Sequence, residues 1–181
     1  MKFYRCLICG DVYMGTEMPT NCPFCGALAA KYLVKAEDWV DENEDIGNIS
    51  DISRRNLETA LQLEVNNAPF YKDASLKSEN IELQGVFKCL AKIEAEHASA
   101  LRKVLKTEPP LPEEGKEVAL DSDIDNLKAA HRRETAAAAF YKKAASEAIE
   151  PRINKLFTAL TEIETDHIRL EDILIAKFSS H

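Results

Sequence analysis

From about residue 51 onward, apolar residues recur at three- and four-residue steps, the period of a helix with one buried face. The pattern divides into four amphipathic helices, at 51–76, 79–106, 122–148 and 151–178. Ser122 with Asp125 three residues on resembles a capping box, and Pro151 suits the first turn of the last helix, where a missing N–H costs no hydrogen bond. Pro69 falls inside the first helix, between Glu64 and Tyr71, and predicts a kink or bulge there. Short breaks separate the first helix from the second and the third from the fourth. The middle connection, Thr107-Glu108-Pro109-Pro110-Leu111-Pro112-Glu113-Glu114-Gly115, is much longer and cannot be helical throughout.

Two helical hairpins joined by one long crossover predict a mainly α fold, a ferritin-like four-helix bundle. An internal repeat supports that topology. A shift of 70 positions overlays Asn56, Leu57, Glu64, Ala68, Phe70, Tyr71 and Lys72 on Asn126, Leu127, Glu134, Ala138, Phe140, Tyr141 and Lys142. The same shift carries Phe87, Leu90, Ile93, Glu94 and His97 onto Phe157, Leu160, Ile163, Glu164 and His167. One offset serves both helix pairs, so the bundle reads as a duplicated hairpin with a pseudo-twofold axis. Polar residues recur with the apolar ones, which packing alone does not require.

The first 38 residues follow another pattern, short and turn-rich, with three of the six glycines. Residues 39–50, containing Asp41-Glu42-Asn43-Glu44-Asp45-Ile46-Gly47-Asn48, read as a solvated acidic linker to a bundle at 51–181. Few core contacts are expected to cross it. Four of five cysteines lie before the linker as Cys6-x-x-Cys9-Gly10 and Cys22-Pro23-x-Cys25-Gly26, twelve residues apart. That spacing places four thiolates around one metal, and a domain this small needs the metal as a staple. Zinc and iron satisfy the spacing equally; Tyr4, Val12, Tyr13 and Met14 could cover the site with apolar surface. Cys89, among apolar neighbours, reads as a buried core thiol.

Glu94-x-x-His97 and Glu164-x-x-His167 each put an acid and an imidazole on one helical face, one turn apart. Glu64 and Glu134, matched by the repeat, complete four carboxylates and two imidazoles. Four acids converging in a core repel and are badly desolvated, and two divalent cations remove both penalties, with two glutamates bridging. Bundles of this kind are a known setting for di-iron sites. Tyr71 and Tyr141, seven residues after Glu64 and Glu134, can donate to ligand carboxylates. His131, one turn before Glu134, reads as a partly exposed helix residue.

A formal net charge of −8 and a pI near 5.1 argue against a nucleic-acid surface, which needs clustered Lys and Arg. No secretory signal or membrane-length apolar run is evident, which predicts a cytoplasmic protein.

With both sites read, the chain resembles the rubrerythrins, with the rubredoxin-like domain first. The residues that carry the resemblance are Cys6, Cys9, Cys22 and Cys25, then Glu64, Glu94, His97, Glu134, Glu164 and His167. It implies iron held by four thiolates, a non-haem di-iron centre, and reduction of hydrogen peroxide or dioxygen to water. Glu64, Glu94, Glu134, Glu164, Tyr71 and Tyr141 are then the catalytic residues. It also implies electrons from NAD(P)H through a separate reductase, and a homodimer in which the knuckle of one chain lies by the bundle of the other. Ferroxidase or iron-binding activity is the alternative. The sequence departs at Ala137, where many rubrerythrins carry a further glutamate. Six ligands remain, and a nearly symmetric site is expected.

Overall fold

The computed structural model describes residues 1–44 and 46–179; Asp45 of the predicted linker, Ser180 and His181 lie outside the described residues. The chain opens with a three-stranded antiparallel sheet, β1 (Lys2–Cys6), β2 (Val12–Gly15) and β3 (Leu33–Lys35), in the order β2-β1-β3. One helical turn, α1 (Ala29–Tyr32), precedes β3.

Four long helices follow: α2 (Asp51–Lys77), α3 (Ile81–Leu105), α4 (Asp123–Glu147) and α5 (Pro151–Phe178). Their ends carry the local chemistry that helix termini need. Ser50 and Ser122 accept from the amides of Ser53 and Asp125, and Asn80 accepts from Glu82 N at 3.0 Å and Leu83 N at 3.2 Å. Pro151 occupies the first turn of α5. Its preceding residue, Glu150, turns its carboxylate to α2 and accepts from Ser50 N and Ser53 Oγ, both at 2.6 Å.

Within the bundle α2 pairs with α3, α4 with α5, and α2 with α4. The intervening crossover is tied along its length: Gln62 Nε2 donates to Leu111 O, Glu113 N to Asn66 Oδ1, Arg133 Nη2 to Lys116 O, and Lys77 Nζ to Ala119 O. The repeat survives in the packing. Phe70 meets Tyr71 edge-on at 5.3 Å and Phe140 meets Tyr141 at 5.6 Å, while Tyr71 faces Phe87 and Tyr141 faces Phe157.

Helix α2 continues through Pro69, as its predicted bounds require, and Tyr71 beyond it is fully buried. One expectation about a single residue changes. Cys89 is exposed: it lies between inward-facing Phe87 and Leu90, so its helical position points outward.

The knuckle is also not a separately packed appendage. A single apolar cluster joins its Ile8, Ala27 and cysteines to Leu101, Leu160 and Ile163 of the bundle. Polar contacts lock the same face: Lys103 Nζ donates to Cys9 O at 2.7 Å, Arg152 Nη2 to Ile8 O at 3.0 Å, and Lys31 pairs with Glu162 at 2.6 Å. The acidic stretch contributes too, because Lys155 binds Glu42 and Arg152 Nε binds Asn43 Oδ1.

Candidate metal centres

Each CxxC pair closes a tight turn in which Gly10 (φ +86°) and Gly26 (φ +79°) take the left-handed conformation and donate to Cys6 O and Cys22 O. The turn also brings Ile8 N to 3.4 Å from Cys6 Sγ, a dipole that favours a thiolate. All four sulfurs are buried and lie within 4.8 Å of one another. Cys6 and Cys25 Sγ are 3.7 Å apart, Cys9 and Cys22 Sγ 3.8 Å. These distances far exceed a disulfide bond of about 2.0 Å. They approximate the edge, about 3.8 Å, of a tetrahedron whose centre lies about 2.3 Å from each sulfur. Hydrogen bonding with Cys22 pushes the Cys9 thiol up, while Cys22 and Cys25 drive Cys6 down. Lacking a cation the thiols must share protons, and a cation releases them all.

Inside the bundle, α2 supplies Glu64, α3 Glu94 and His97, α4 Glu134, and α5 Glu164 and His167; all six are buried. They form two overlapping donor sets. One is Glu64, Glu94, His97 and Glu164, the other Glu94, Glu134, Glu164 and His167, each with donor atoms within 4.8 Å. Glu94 and Glu164 belong to both, as bridging carboxylates must. His97 Nδ1 lies 3.6 Å from Glu64 Oε1 and 3.3 Å from Glu164 Oε1; His167 Nδ1 lies 3.5 Å from Glu94 Oε1 and 2.8 Å from Glu164 Oε2. The two rings stack nearly parallel at 6.2 Å.

The protein alone does not satisfy these groups. Both oxygens of Glu94 and of Glu164, Oε2 of Glu64 and of Glu134, and Nδ1 of each histidine are buried with no hydrogen-bond partner among the described residues. Such groups cost about 1–3 kcal/mol each, more when charged. Burial, then Glu164 and Glu64, hold the Glu94 carboxyl well above its ordinary range; burial, then Glu94, do the same to Glu134. Burial also opposes ionisation of Glu164, yet His167 and His97 outweigh it and lower that carboxyl. Two divalent cations would balance four carboxylates and engage every orphaned atom, so the residues present fit a dinuclear site.

The tyrosines act across the pseudo-twofold axis. Tyr141 donates to Glu64 Oε1 and Tyr71 to Glu134 Oε1, each serving the carboxylate of the other hairpin. His131 is partly exposed and pairs with Asp172 at 3.1 Å, away from the donor sets.

One further carboxyl escaped the sequence reading. Glu171, fully buried on α5, lies 3.0 Å from the Tyr71 hydroxyl. Its signal was spacing alone, one turn after His167 on the same face; at the repeat offset stands Leu101. The donor sets match one another under the 70-residue shift, but their surroundings do not.

The two centres touch within one chain. His97 Nε2 lies 2.9 Å from Cys25 O, so one imidazole in a donor set bonds directly to the backbone of a knuckle cysteine. Gly26 makes the approach possible, since a Cβ there would meet Ile163 Cγ2 at 3.2 Å. The knuckle therefore reaches the bundle of its own chain.

Comparison with known proteins agrees with this architecture. The rubrerythrin family model matches residues 55–175, and the model of the rubrerythrin rubredoxin-like domain matches residues 4–32. Reverse rubrerythrin-1 of Clostridium acetobutylicum is 30% identical over 114 residues, covering 58% of this chain and 62% of the relative, so the match spans less than two thirds of that protein. A hypothetical protein of Pyrococcus furiosus superposes with a TM-score of 0.60 at 23% identity, over 74% of this chain and 93% of that one, a likeness of fold. The four-cysteine set and the buried carboxylate and imidazole cluster fit the iron and di-iron sites of rubrerythrins. The chain belongs to the rubrerythrin family, with its rubredoxin-like domain on the N-terminal side of the bundle.

Proposed function

We infer that this protein is a non-haem iron oxidoreductase that reduces hydrogen peroxide, or dioxygen, to water. The observation that carries the reading is the 2.9 Å contact between Cys25 O and His97 Nε2, which joins the four-cysteine site to the dinuclear site through one hydrogen bond. A storage bundle needs no such link, and an enzyme fed one electron at a time does.

Glu64, Glu94, Glu134, Glu164, His97 and His167 are proposed to hold two irons, and Cys6, Cys9, Cys22 and Cys25 one. Bound there, iron supplies the electrons that peroxide reduction consumes. The chain's own groups do the rest. Burial holds Tyr71 and Tyr141 well above the usual phenol range, so both stay neutral and keep a proton at Oη beside the donor sets. Their hydrogen bonds fix the orientation of the Glu64 and Glu134 carboxylates. His97, donating from Nε2 to Cys25 O, is held in the tautomer that leaves Nδ1 free for a metal. Electrons are proposed to come from NAD(P)H through a separate reductase. The homodimer remains a proposal, although the knuckle contact does not require one.

Rapid mixing of fully reduced, iron-loaded protein with peroxide tests this reading. The visible spectrum of the four-cysteine iron should pass to its oxidised form within the same turnover that oxidises the dinuclear site. Oxidation of the dinuclear site with no response from the four-cysteine iron, accompanied by uptake of added ferrous iron, would establish ferroxidase activity instead.

A further inference from the structure

Tyr71 has one proton and two carboxyl neighbours. Its hydroxyl contacts Glu134 Oε1 and also Glu171 Oε1 at 3.0 Å, whereas the Tyr141 hydroxyl bonds only Glu64 among the described residues. One hydroxyl proton cannot satisfy two carboxylates. Glu134 belongs to a donor set and must be ionised to bind a cation, so the remaining proton belongs on Glu171.

The surroundings of Glu171 agree. It is fully buried, lies outside both donor sets, and its Oε2 has no hydrogen-bond partner among the described residues. An ionised carboxylate in that place would be uncompensated, whereas a neutral acid leaves only a carbonyl-like oxygen unpaired. The groups that act on it most are Tyr71 of α2, Glu134 of α4, and Glu164 and Asp172 of α5; His167 stands one turn before it on α5, and His131 of α4 pairs with Asp172. Burial, with Glu164 and Asp172 adding to it, raises the Glu171 carboxyl to about 8 against the opposing bond from Tyr71.

We propose that Glu171 is a positioning residue that keeps a proton beside the dinuclear site and delivers it through Tyr71, on the Glu134 side only. The order of bonds is Glu171 O–H to Tyr71 Oη, and Tyr71 O–H toward Glu134. Reduction of peroxide breaks one O–O bond and takes two electrons and two protons to give two waters. Iron held by the two donor sets would supply both electrons. Tyr71 gives its proton to a peroxide oxygen at the Glu134 edge while Glu171 Oε1 gives its own to Tyr71 Oη. Tyr71 is neutral before and after, Glu171 ends as a carboxylate, and solvent supplies the second proton and reloads Glu171. The use made of the proton rests on the peroxide reading; the protonated state does not.

Two variants separate the roles. Glu171→Leu copies the repeat-matched Leu101 and removes the acid, while Glu171→Gln can still hydrogen-bond Tyr71 but has no carboxyl proton to give. Oxidised, iron-loaded wild-type protein should show the infrared carbonyl band of a protonated carboxylic acid at neutral pH, and both variants should lose it with unchanged iron content. Oxidation of the reduced variants by peroxide should slow by about 100-fold, the lower range of general-acid effects. A wild-type spectrum without that band, loss of iron in the variants, or full rescue of the rate by Gln would each overturn the proposal. If wild-type protein does not react with peroxide at all, the functional reading falls, and the infrared band still decides where the proton lies.

Discussion

Glu94 belongs to both donor sets, so its loss cannot be confined to one metal. Glu94→Ala should leave the helices folded, because it also relieves repulsion among buried acids, yet iron bound in the bundle should fall. Peroxide turnover is expected to drop by more than about 100-fold, beyond what loss of an outer-sphere partner causes, while the four-cysteine iron spectrum persists. Metal analysis with that spectrum checks it. At Gly26 the constraint is steric: Gly26→Ala meets Ile163 at 3.2 Å and must hold a left-handed φ of +79°. The left-handed conformation alone costs about 1–2 kcal/mol, so the thermal midpoint should fall. The lengthened His97 to Cys25 contact should also slow electron transfer between the centres, read as slower appearance of the oxidised four-cysteine iron spectrum after the dinuclear site is oxidised. Residues such as Glu94 and His167 were legible because each has a double seventy positions away. Glu171 has none, and a lone acid on a helix gives no sign that it will be buried.

Among elements, the caps and breaks marked the helices in advance. Ser122 and Pro151 stand at helix starts, and the proline-rich stretch forms the crossover. Pro69 lies inside α2, within the helix bounds predicted, and removes one backbone donor there. Asn80→Ala should cost about 1 kcal/mol of stability, since two amides at the start of α3 lose their acceptor. The dinuclear site makes a larger mark on how the four helices hold together. In metal-free protein Glu94 and Glu134 are raised by burial first, and Glu171 lies at about 8. His97 is raised as well, burial being outweighed by Glu94 and Glu164. Groups raised on folding bind more protons folded than unfolded. For the carboxyls that stabilisation is complete below the unfolded value of about 4.3 and is lost as pH climbs from there, and for His97 the loss begins only above about 6.5. Glu164, lowered, loses its contribution only in strong acid. Metal-free protein should therefore melt at a lower temperature at pH 8 than at pH 5 when followed by helix circular dichroism. Iron-loaded protein should show a much smaller drop, since cations then replace the protons on the ligand carboxylates and Glu171, outside both donor sets, keeps its own.

At the scale of the molecule, docking of the knuckle on the bundle was not legible. It depends on pairs such as Lys103 with Cys9 and Arg152 with Ile8, far apart in sequence and unrelated by the repeat. Because Ile8, Ala27 and the cysteines share one core with Leu101 and Ile163, Cys22→Ser should not leave the helices indifferent. Removing one thiolate should unfold the small sheet, uncover α3 and α5, and lower the helical melting temperature as well. An unchanged melt would show that the two parts are energetically separate.

The bond from Cys25 to His97 lies within one polypeptide, and this has a genetic consequence. If each chain feeds its own dinuclear site, two defective copies cannot rescue each other. A Cys22→Ser chain co-expressed with a Glu94→Ala chain pairs a chain that lacks a working donor with one that lacks a working acceptor. Where knuckles serve a neighbouring subunit, mixed assemblies regain working donor and acceptor pairs and show intragenic complementation. Here the co-expressed pair should be no more active than the two proteins purified separately, whatever their oligomeric state.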